Sequence, residues 1–153
     1  MSYIQKVLQP GEALIYRTRL HWLIYLRAIW LALIAVACVA AGFYAGDDFH
    51  AAGLIASGFF LVLALVAALL SAIRRATTEL AVTDHRVIFK RGLVSRYTIE
   101  MARSKVESVD VQQSIGGRIF NYGTILVRGT GGSLEPFPNI EDPLRLRSAI
   151  TAA

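Results

Sequence analysis

The sequence is poor in cysteine and, over two long stretches, lacks charge altogether. Cys38 is the single cysteine, so an internal disulfide and a cysteine-based metal site are both excluded. Residues 28–46 and 49–73 contain no charged side chain, whereas the sequence from Arg74 onward has mixed composition. Because the chain is 55% hydrophobic overall, this uneven distribution predicts a membrane segment joined to a globular domain.

Two apolar runs, residues 28–46 and 51–73, have the length of membrane spans. As helices they reach roughly 28 and 35 Å, against a hydrocarbon core of about 30 Å. Helices that are buried in a soluble core usually carry a polar face, and neither run has one. Gly53 and Ser57 form a small-residue stripe on the second run, where another helix can approach closely. We therefore predict a transmembrane helical hairpin over residues 22–75.

Basic residues flank the predicted hairpin, and acidic residues connect its two runs. The flanking residues are Arg17, Arg19, Arg27, Arg74 and Arg75, and the connecting residues are Asp47 and Asp48. By the positive-inside rule, both termini then lie in the cytoplasm. No acidic residue lies within either run to pair with an intramembrane cation, so transport by this chain alone is not expected.

After Arg75 the pattern changes from continuously apolar to alternating, which is typical of short strands. Strands are predicted in TELAVTD (78–84), RVIFKRGLVSRYTIEM (86–101, folded about a turn at 90–92), KVESVDVQQ (105–113), GRIFNYG (117–123), TILVRG (124–129) and LEPF (134–137). In 105–113, Val106 has the opposite parity to Val109 and Val111, which predicts a β-bulge or a bend.

The glycine-rich stretch IGGRIFNYGTILVRGTGG, residues 115–132, admits two interpretations. A phosphate-binding loop needs a lysine and a hydroxyl residue after its last glycine, at the start of a helix. Here SLEPFP follows, and Pro136 and Pro138 oppose a helix at that point. We therefore predict a β-hairpin in which the glycines occupy turns, with Arg118 and Arg128 as surface residues.

The two ends of the globular part carry different patterns. In PNIEDPLRLRSAI, Asp142 is placed to cap a helix with Pro143 at its first position. Leu146, Ala149 and Ile150 then form an apolar stripe at helical spacing. The alternation in GEALIYRTRLHW, residues 11–22, is compatible with a strand that joins the same sheet, or with a separate cytoplasmic segment over 1–21.

These motifs resemble the bacterial PH-like domain proteins, in which two adjacent spans precede a bacterial pleckstrin-homology (PH) domain. The resemblance rests on GEALIYRTRLHW, VTDHRVIFKRGL, KVESVDVQQSIGGRIFNYGTILVRGTGG and EPFPNIEDPLRLR, and it covers nearly the whole chain. It implies a membrane α-helical hairpin plus a mainly-β PH-like barrel with a short C-terminal helix, the cytoplasmic domain occupying 76–153. It also implies a multi-pass protein of the bacterial inner membrane.

No catalytic, cofactor or metal site is expected. His21, His50 and His85 lie in three different regions of the sequence, and a serine, a histidine and an acid without geometry do not make a triad. One group of basic residues is a candidate contact for anionic lipid: Arg74, Arg75, Lys90, Arg91 and Arg96. The alternative is that these residues only set topology and cover solvated strand faces.

The function expected from the sequence is that of a non-enzymatic membrane protein. Its cytoplasmic PH-like domain would bind a protein or peptide, or a second copy of itself, through open strand edges. An anionic-lipid-sensing domain is one alternative, and an accessory subunit of a membrane complex is another. Nucleic acid is not expected as a partner, because basic and aromatic residues are not interleaved as in RNA-binding modules. No small-molecule substrate is evident.

Overall fold

The computed structural model describes residues 7–92, 97–131 and 134–152. The chain divides into two compact units, one formed by residues 22–73 and the other by the residues up to His21 together with those from Arg74 onward. The N-terminal segment therefore belongs to the same unit as the C-terminal half of the chain. We call the first unit the hairpin and the second the domain.

The secondary structure follows one order along the chain. The strands are β1 (Leu14–Arg19), β2 (Glu79–Thr83), β3 (Arg86–Arg91), β4 (Tyr97–Ala102), β5 (Val106–Gln112), β6 (Tyr122–Gly129) and β7 (Leu134–Glu141). The helices are α1 (Leu26–Ala45), α2 (Asp47–Thr77), α3 (Ile115–Ile119) and α4 (Pro143–Thr151). Short 3-10 turns occupy Trp22–Tyr25 and Arg103–Lys105.

The connector between α1 and α2 is shorter than the sequence predicts. Gly46, with φ +103°, separates the two helices, because α2 already begins at Asp47. Asp47 and Asp48 lie in the first turn of α2, where carboxylates interact favourably with the helix dipole. Trp22–Ala45 and Asp47–Thr77 are both long and apolar enough to cross a membrane.

Small residues form the contact between α1 and α2. The buried residues of α1 are Ala28, Ala35 and Gly42, at intervals of seven positions. A Cβ atom on Gly53 would lie 2.9 Å from the Cα of Gly42 and 2.9 Å from the carbonyl oxygen of Cys38. Gly53 therefore allows the close helix approach that its position in the sequence predicts.

The strands of the domain form two antiparallel sheets, in the orders β1-β2-β3-β4 and β5-β6-β7. Thr18 of β1 is paired with Leu80 of β2, so the N-terminal segment contributes an edge strand. Within the described residues the two sheets do not close into the barrel that the sequence predicts. The 3-10 turn Arg103–Lys105 redirects the chain between β4 and β5, and these strands share no ladder. A bridge between Leu20 and Ile140 joins the sheets elsewhere.

The core lies between the sheets and α4. Its buried members come from both sheets and the helix and include Leu80, Val82, Phe89, Ile125, Val127, Phe137, Ile140, Leu146 and Ile150. The rings of Phe89 and Phe137 meet with centroids 4.2 Å apart. Leu146 and Ile150 face this core and Ala149 packs at its margin, as the predicted apolar stripe requires.

The prediction of a single β-hairpin over residues 115–132 is wrong. Residues 115–119 form α3, and β6 begins only at Tyr122. The Ser114 side chain caps α3 by accepting the Gly117 N–H at 3.1 Å. A Cβ atom on Gly117 would lie 2.6 Å from the Tyr122 carbonyl oxygen. This glycine therefore serves close backbone approach rather than a hairpin turn.

Two other strands differ in detail from a regular pattern. The register of β5 against β6 shifts between Val106 and Ser108, which is the bulge that the parity of Val106 predicts. β7 is longer than predicted and contains Pro136 and Pro138. It lies at the edge of its sheet, where a residue without an N–H is tolerated.

Candidate binding site

Most of the predicted basic residues are brought to one end of the four-stranded sheet. Lys90 is paired with Glu79, the first residue of β2, and Arg91 is paired with Tyr97. Arg74 and Arg75 lie in the last turn of α2, a few residues before Glu79. Arg96, the fifth predicted lipid contact, lies outside the described residues.

Acidic side chains on the same sheet offset part of this positive charge. The Arg17 guanidinium contacts the Glu79 carboxylate, with Nη2 2.7 Å from Oε1. Glu79 in turn stands opposite Lys90 in the ladder, and residues directly opposite in an antiparallel pair share a face. The outer face of the sheet therefore carries mixed charge rather than a uniformly basic patch.

A buried carboxylate fixes the N-terminal segment to this outer face. Arg86 donates from Nε to Oε1 of Glu12 at 2.9 Å and from Nη2 to Oε2 at 2.8 Å. Its Nη1 donates to Glu100 at 2.6 Å, and Thr83 Oγ1 lies 2.7 Å from Glu12 Oε1. The hydrogen bonds to Glu12 lower the pKa of its carboxyl group to about 2, and the bond from Arg86 has the largest effect. The Glu12 carboxylate and the Arg86 guanidinium thus find their hydrogen-bond partners within the domain, which indicates a structural role.

His21 links three parts of the domain at the point where the sequence continues into Trp22. Its backbone N–H donates to the Asn139 carbonyl at 2.8 Å. Its ring stacks on Tyr122 with centroids 5.4 Å apart, and its side chain hydrogen-bonds to the backbone of Phe120. Burial lowers the pKa of His21, which favours a neutral imidazole in the packed state.

The fold forms a groove that no sequence motif indicates. β5 lies at the edge of its sheet, and in the described part of the chain no strand pairs with its outer side. Between this edge and α4 runs a groove of about 550 Å³, lined among others by Val106, Glu107, Ser108, Val109, Ile150 and Thr151. The groove results from tertiary packing, so only the existence of open strand edges was predictable.

The helical wall of the groove is held in place by Arg103. Its Nη2 donates to the carbonyls of Ala149 and Ile150, at 3.3 and 3.2 Å, and to that of Ala152. A guanidinium at the end of a helix pairs with the last carbonyls and with the negative end of the dipole. The C-terminal turn of α4 is therefore fixed against the turn that precedes β5.

The titratable groups of the described residues form pairs rather than a metal-binding cluster. Across residues 7–92, 97–131 and 134–152, no three His, Cys, Asp or Glu side chains are grouped to hold a metal. His85 Nδ1 lies 2.8 Å from Asp84 Oδ1, and this hydrogen bond lowers the pKa of Asp84. The Asp84 carboxylate also accepts the Ala13 N–H at 3.1 Å, which ties the turn to the N-terminal segment.

Comparison with known families decides what kind of domain this is. Residues 22–153 match the family described as Bacterial PH domain. The chain belongs to the bacterial PH domain family. The match includes both apolar helices, whereas β1 precedes it, so this PH domain completes its four-stranded sheet with residues from before the hairpin. Neither the curated proteins nor the solved structures contain a match to the chain.

Proposed function

We propose that the chain is a two-span membrane protein whose PH domain binds an extended segment of a protein partner along β5. The observation that carries the proposal is the open outer edge of β5 beside the groove that α4 bounds. Binding of this kind requires neither catalysis nor a cofactor. A segment of a second copy of the chain is one form that this partner can take.

Membrane anchoring is supported by the surface of the two apolar helices. Only 11% of the apolar window in Trp22–Ala45 and 6% of that in Asp47–Thr77 is buried. A core helix of a soluble protein hides most of its apolar surface, so these helices need an apolar medium. The basic flanks orient both termini towards the cytoplasm of a bacterial inner membrane.

The groove offers both backbone and side-chain contacts to an extended segment. Beyond the bulge, residues Ser108 to Gln112 follow a regular register on β6. Among the described residues no strand pairs with their other edge, so it is available for strand addition. Val109 and Ile150 are buried members of the groove's lining, and the exposed Asp84 and Glu107 lie along it. Arg103 also lines the groove, but its guanidinium is bound to carbonyls of α4, so Glu107 is the carboxylate left to face a bound segment. A segment that alternates apolar and basic side chains complements this arrangement.

Photo-crosslinking of the full chain in its native membrane tests the proposal. A photoreactive residue at position 107, on the groove, should yield adducts that mass spectrometry identifies as one partner or a second copy. The matched control is position 98, which is exposed on the edge strand of the other sheet. Ser108→Trp, which fills the groove, should reduce the adducts at 107 at least tenfold. Recovery of only the uncrosslinked chain at position 107 would overturn the proposal.

Recognition of anionic lipid is a second candidate, favoured by the position of Lys90 and Arg91 beside the start of β2. Each cation near an anionic surface contributes about 1 kcal/mol. The full chain is the appropriate sample, because a fragment of residues 76–153 lacks β1. Lys90→Gln with Arg91→Gln should at least halve the anionic lipid that co-purifies, whereas the exposed control Arg128→Gln should not. Equal lipid retention by all variants would exclude this candidate.

A further inference from the structure

We infer that α3 is a second membrane contact of this protein, in which Ile115, Ile119 and Phe120 insert into the bilayer interface and Arg118 faces anionic headgroups. The inference rests on the membrane anchoring proposed above, and it assigns the contact to residues outside the groove and outside the basic residues of β3.

The first observation is the exposure of large apolar side chains on α3 and on the residue that follows it. Ile115 is 82% exposed, Ile119 72% and Phe120 51%, within a stretch of six residues. Ile115 and Ile119 are four positions apart and therefore share one face of the helix. A soluble domain usually buries such residues or uses them for contact with a partner or a membrane.

The second observation is that the end of α3 is fixed to the residue that precedes the first candidate span in the sequence. The His21 side chain hydrogen-bonds to the backbone of Phe120 and stacks on Tyr122, so the end of α3 is fixed to His21. The next residue, Trp22, begins the first candidate span, and consecutive Cα atoms are about 3.8 Å apart. His21, which holds the end of α3, is thus the direct neighbour of the first candidate span along the chain.

The third observation is the firm support beneath α3. Gln113 Nε2 donates to the carbonyls of Gly117 and Tyr122 at 3.2 and 3.1 Å, and Ser114 caps the first turn. A Cβ atom on Gly117 would collide with the Tyr122 carbonyl. The apolar side chains are therefore presented by a fixed turn, so little conformational entropy is lost when they insert.

Charge identifies the occupant as a lipid surface. Arg118 is exposed between the two isoleucines, and α3 itself carries no acidic side chain. The acids that the fold brings to this end of β6 are Glu141, which is paired with Tyr122, and Asp142, whose N–H donates to the Asn121 carbonyl. Apolar side chains combined with lysine or arginine are typical of helices that lie at a membrane interface. A stable protein interface buries about 800 Å² per partner, which is more than three side chains on one short helix supply.

Depth-dependent fluorescence quenching in the full chain tests this inference. The single cysteine allows Cys38→Ala as background, and Ile119→Cys then receives an environment-sensitive fluorophore in nanodiscs that contain anionic lipid. Thr130→Cys is the aqueous control, because it lies at the opposite end of β6, about 25 Å from Tyr122 at 3.3 Å per residue. Leu65→Cys, on the exposed surface of α2, is the membrane control.

We expect nitroxide-labelled lipid to quench the fluorophore at position 119 at least fivefold more strongly than at position 130. Equal quenching at 119 and 130, with strong quenching at 65, would overturn the inference and leave the anchoring intact. A blue-shifted fluorophore at 119 that lipid does not quench would also overturn it, because a protein then covers α3. Absence of quenching at position 65 would instead overturn the proposed anchoring itself.

Two substitutions separate the apolar and the charged contributions. Ile115→Ser with Phe120→Ser should lower the quenching at position 119 at least threefold, and both side chains are exposed enough for the fold to persist. Arg118→Gln should lower it about twofold in anionic nanodiscs and leave it unchanged in zwitterionic ones. If quenching at position 119 is unchanged in the double serine variant, the apolar side chains do not insert. If it is unchanged in Arg118→Gln in anionic nanodiscs, Arg118 does not contact the headgroups.

Discussion

The hairpin and the domain distribute small and large apolar side chains in opposite ways. In the hairpin, Ala35 and Gly42 are buried while Leu61 and Leu65 are exposed. In the domain, large side chains such as Leu146 are buried, and the charged ones cover the outer sheet face. Burial of apolar area stabilises a domain in water, whereas helices in lipid associate through close packing of small residues. Under the membrane anchoring proposed above, the difference teaches that the domain is matched to water and the hairpin to lipid.

The sharpest test of this comparison is removal of a large core side chain from the domain. Leu146→Ala should destabilise the domain by about 3 kcal/mol, because a fully buried leucine leaves a cavity. The control Leu144→Ala lies on the same helix but is 53% exposed, so its effect should stay within about 0.5 kcal/mol. Amide hydrogen exchange of β6 in the detergent-solubilised full chain measures both. Equal effects of the two substitutions would mean that α4 does not seal the core.

In the hairpin the damaging change is the reverse one, from small to large. Gly53→Leu should destabilise the hairpin by about 1–3 kcal/mol, since its Cβ would lie 2.9 Å from the Gly42 Cα. Gly58→Leu is the matched control on the same helix, because in the described structure nothing lies within 4 Å of a Cβ there. Energy transfer between labels on α1 and α2 during SDS titration follows the opening. If Gly53→Leu opens at the same SDS concentration as the wild type, α1 and α2 do not approach closely at Gly53.

The periodicity of the sequence predicts those features that depend on local burial. The alternation around Leu80 predicts β2, the opposite parity of Val106 predicts the bulge, and the stripe at Leu146 and Ile150 predicts how α4 packs. Each of these patterns is short, and burial on one face determines it. Lengths near 20 apolar residues predict the two long helices in the same way.

Contacts between distant residues set the features that the sequence does not predict. Glu12 and Arg86 are 74 positions apart, and their ion pair cannot be read from either segment. Gly117 resembles a turn residue in the sequence, but its role is to approach the Tyr122 carbonyl. The groove likewise exists only because β5 and α4 lie beside each other in the fold. Residue patterns indicate that the sheets have open edges, but they do not show which edge has a groove beside it.

The ion pair of Glu12 distinguishes the domain further from the hairpin, because its contribution depends on pH. Glu12→Gln should cost about 1–2 kcal/mol at pH 7, since Arg86 loses a charged partner. The pKa of Glu12 is lowered from 4.5 to about 2, so its stabilisation is complete above about pH 4.5 and is lost as the pH falls towards 2. Chemical denaturation at pH 7, 4 and 2.5 should therefore show the variant and the wild type converging.

The control for this prediction is Glu100→Gln, which removes the other carboxylate on Arg86. The Glu100 side chain is 36% exposed against 3% for Glu12, so its loss should cost at most about 1 kcal/mol. A difference between Glu12→Gln and the wild type that stays constant from pH 7 to pH 2.5 would show that the carboxylate charge is not what stabilises the segment.

The smallest expected effect concerns the helix starts within the domain. Ser114 accepts the Gly117 N–H at 3.1 Å, so Ser114→Ala should cost about 1 kcal/mol. Asp142, the cap that the sequence predicts for α4, has φ 49° and, in the described part of the chain, makes no capping hydrogen bond with its side chain. Asp142→Gly should therefore stabilise the domain by a few tenths of a kcal/mol, because glycine adopts positive φ without a Cβ penalty. Hydrogen exchange at the first amides of α3 and α4 compares the two. A loss at Asp142→Gly as large as that at Ser114→Ala would mean that Asp142 does cap α4, as the sequence predicts.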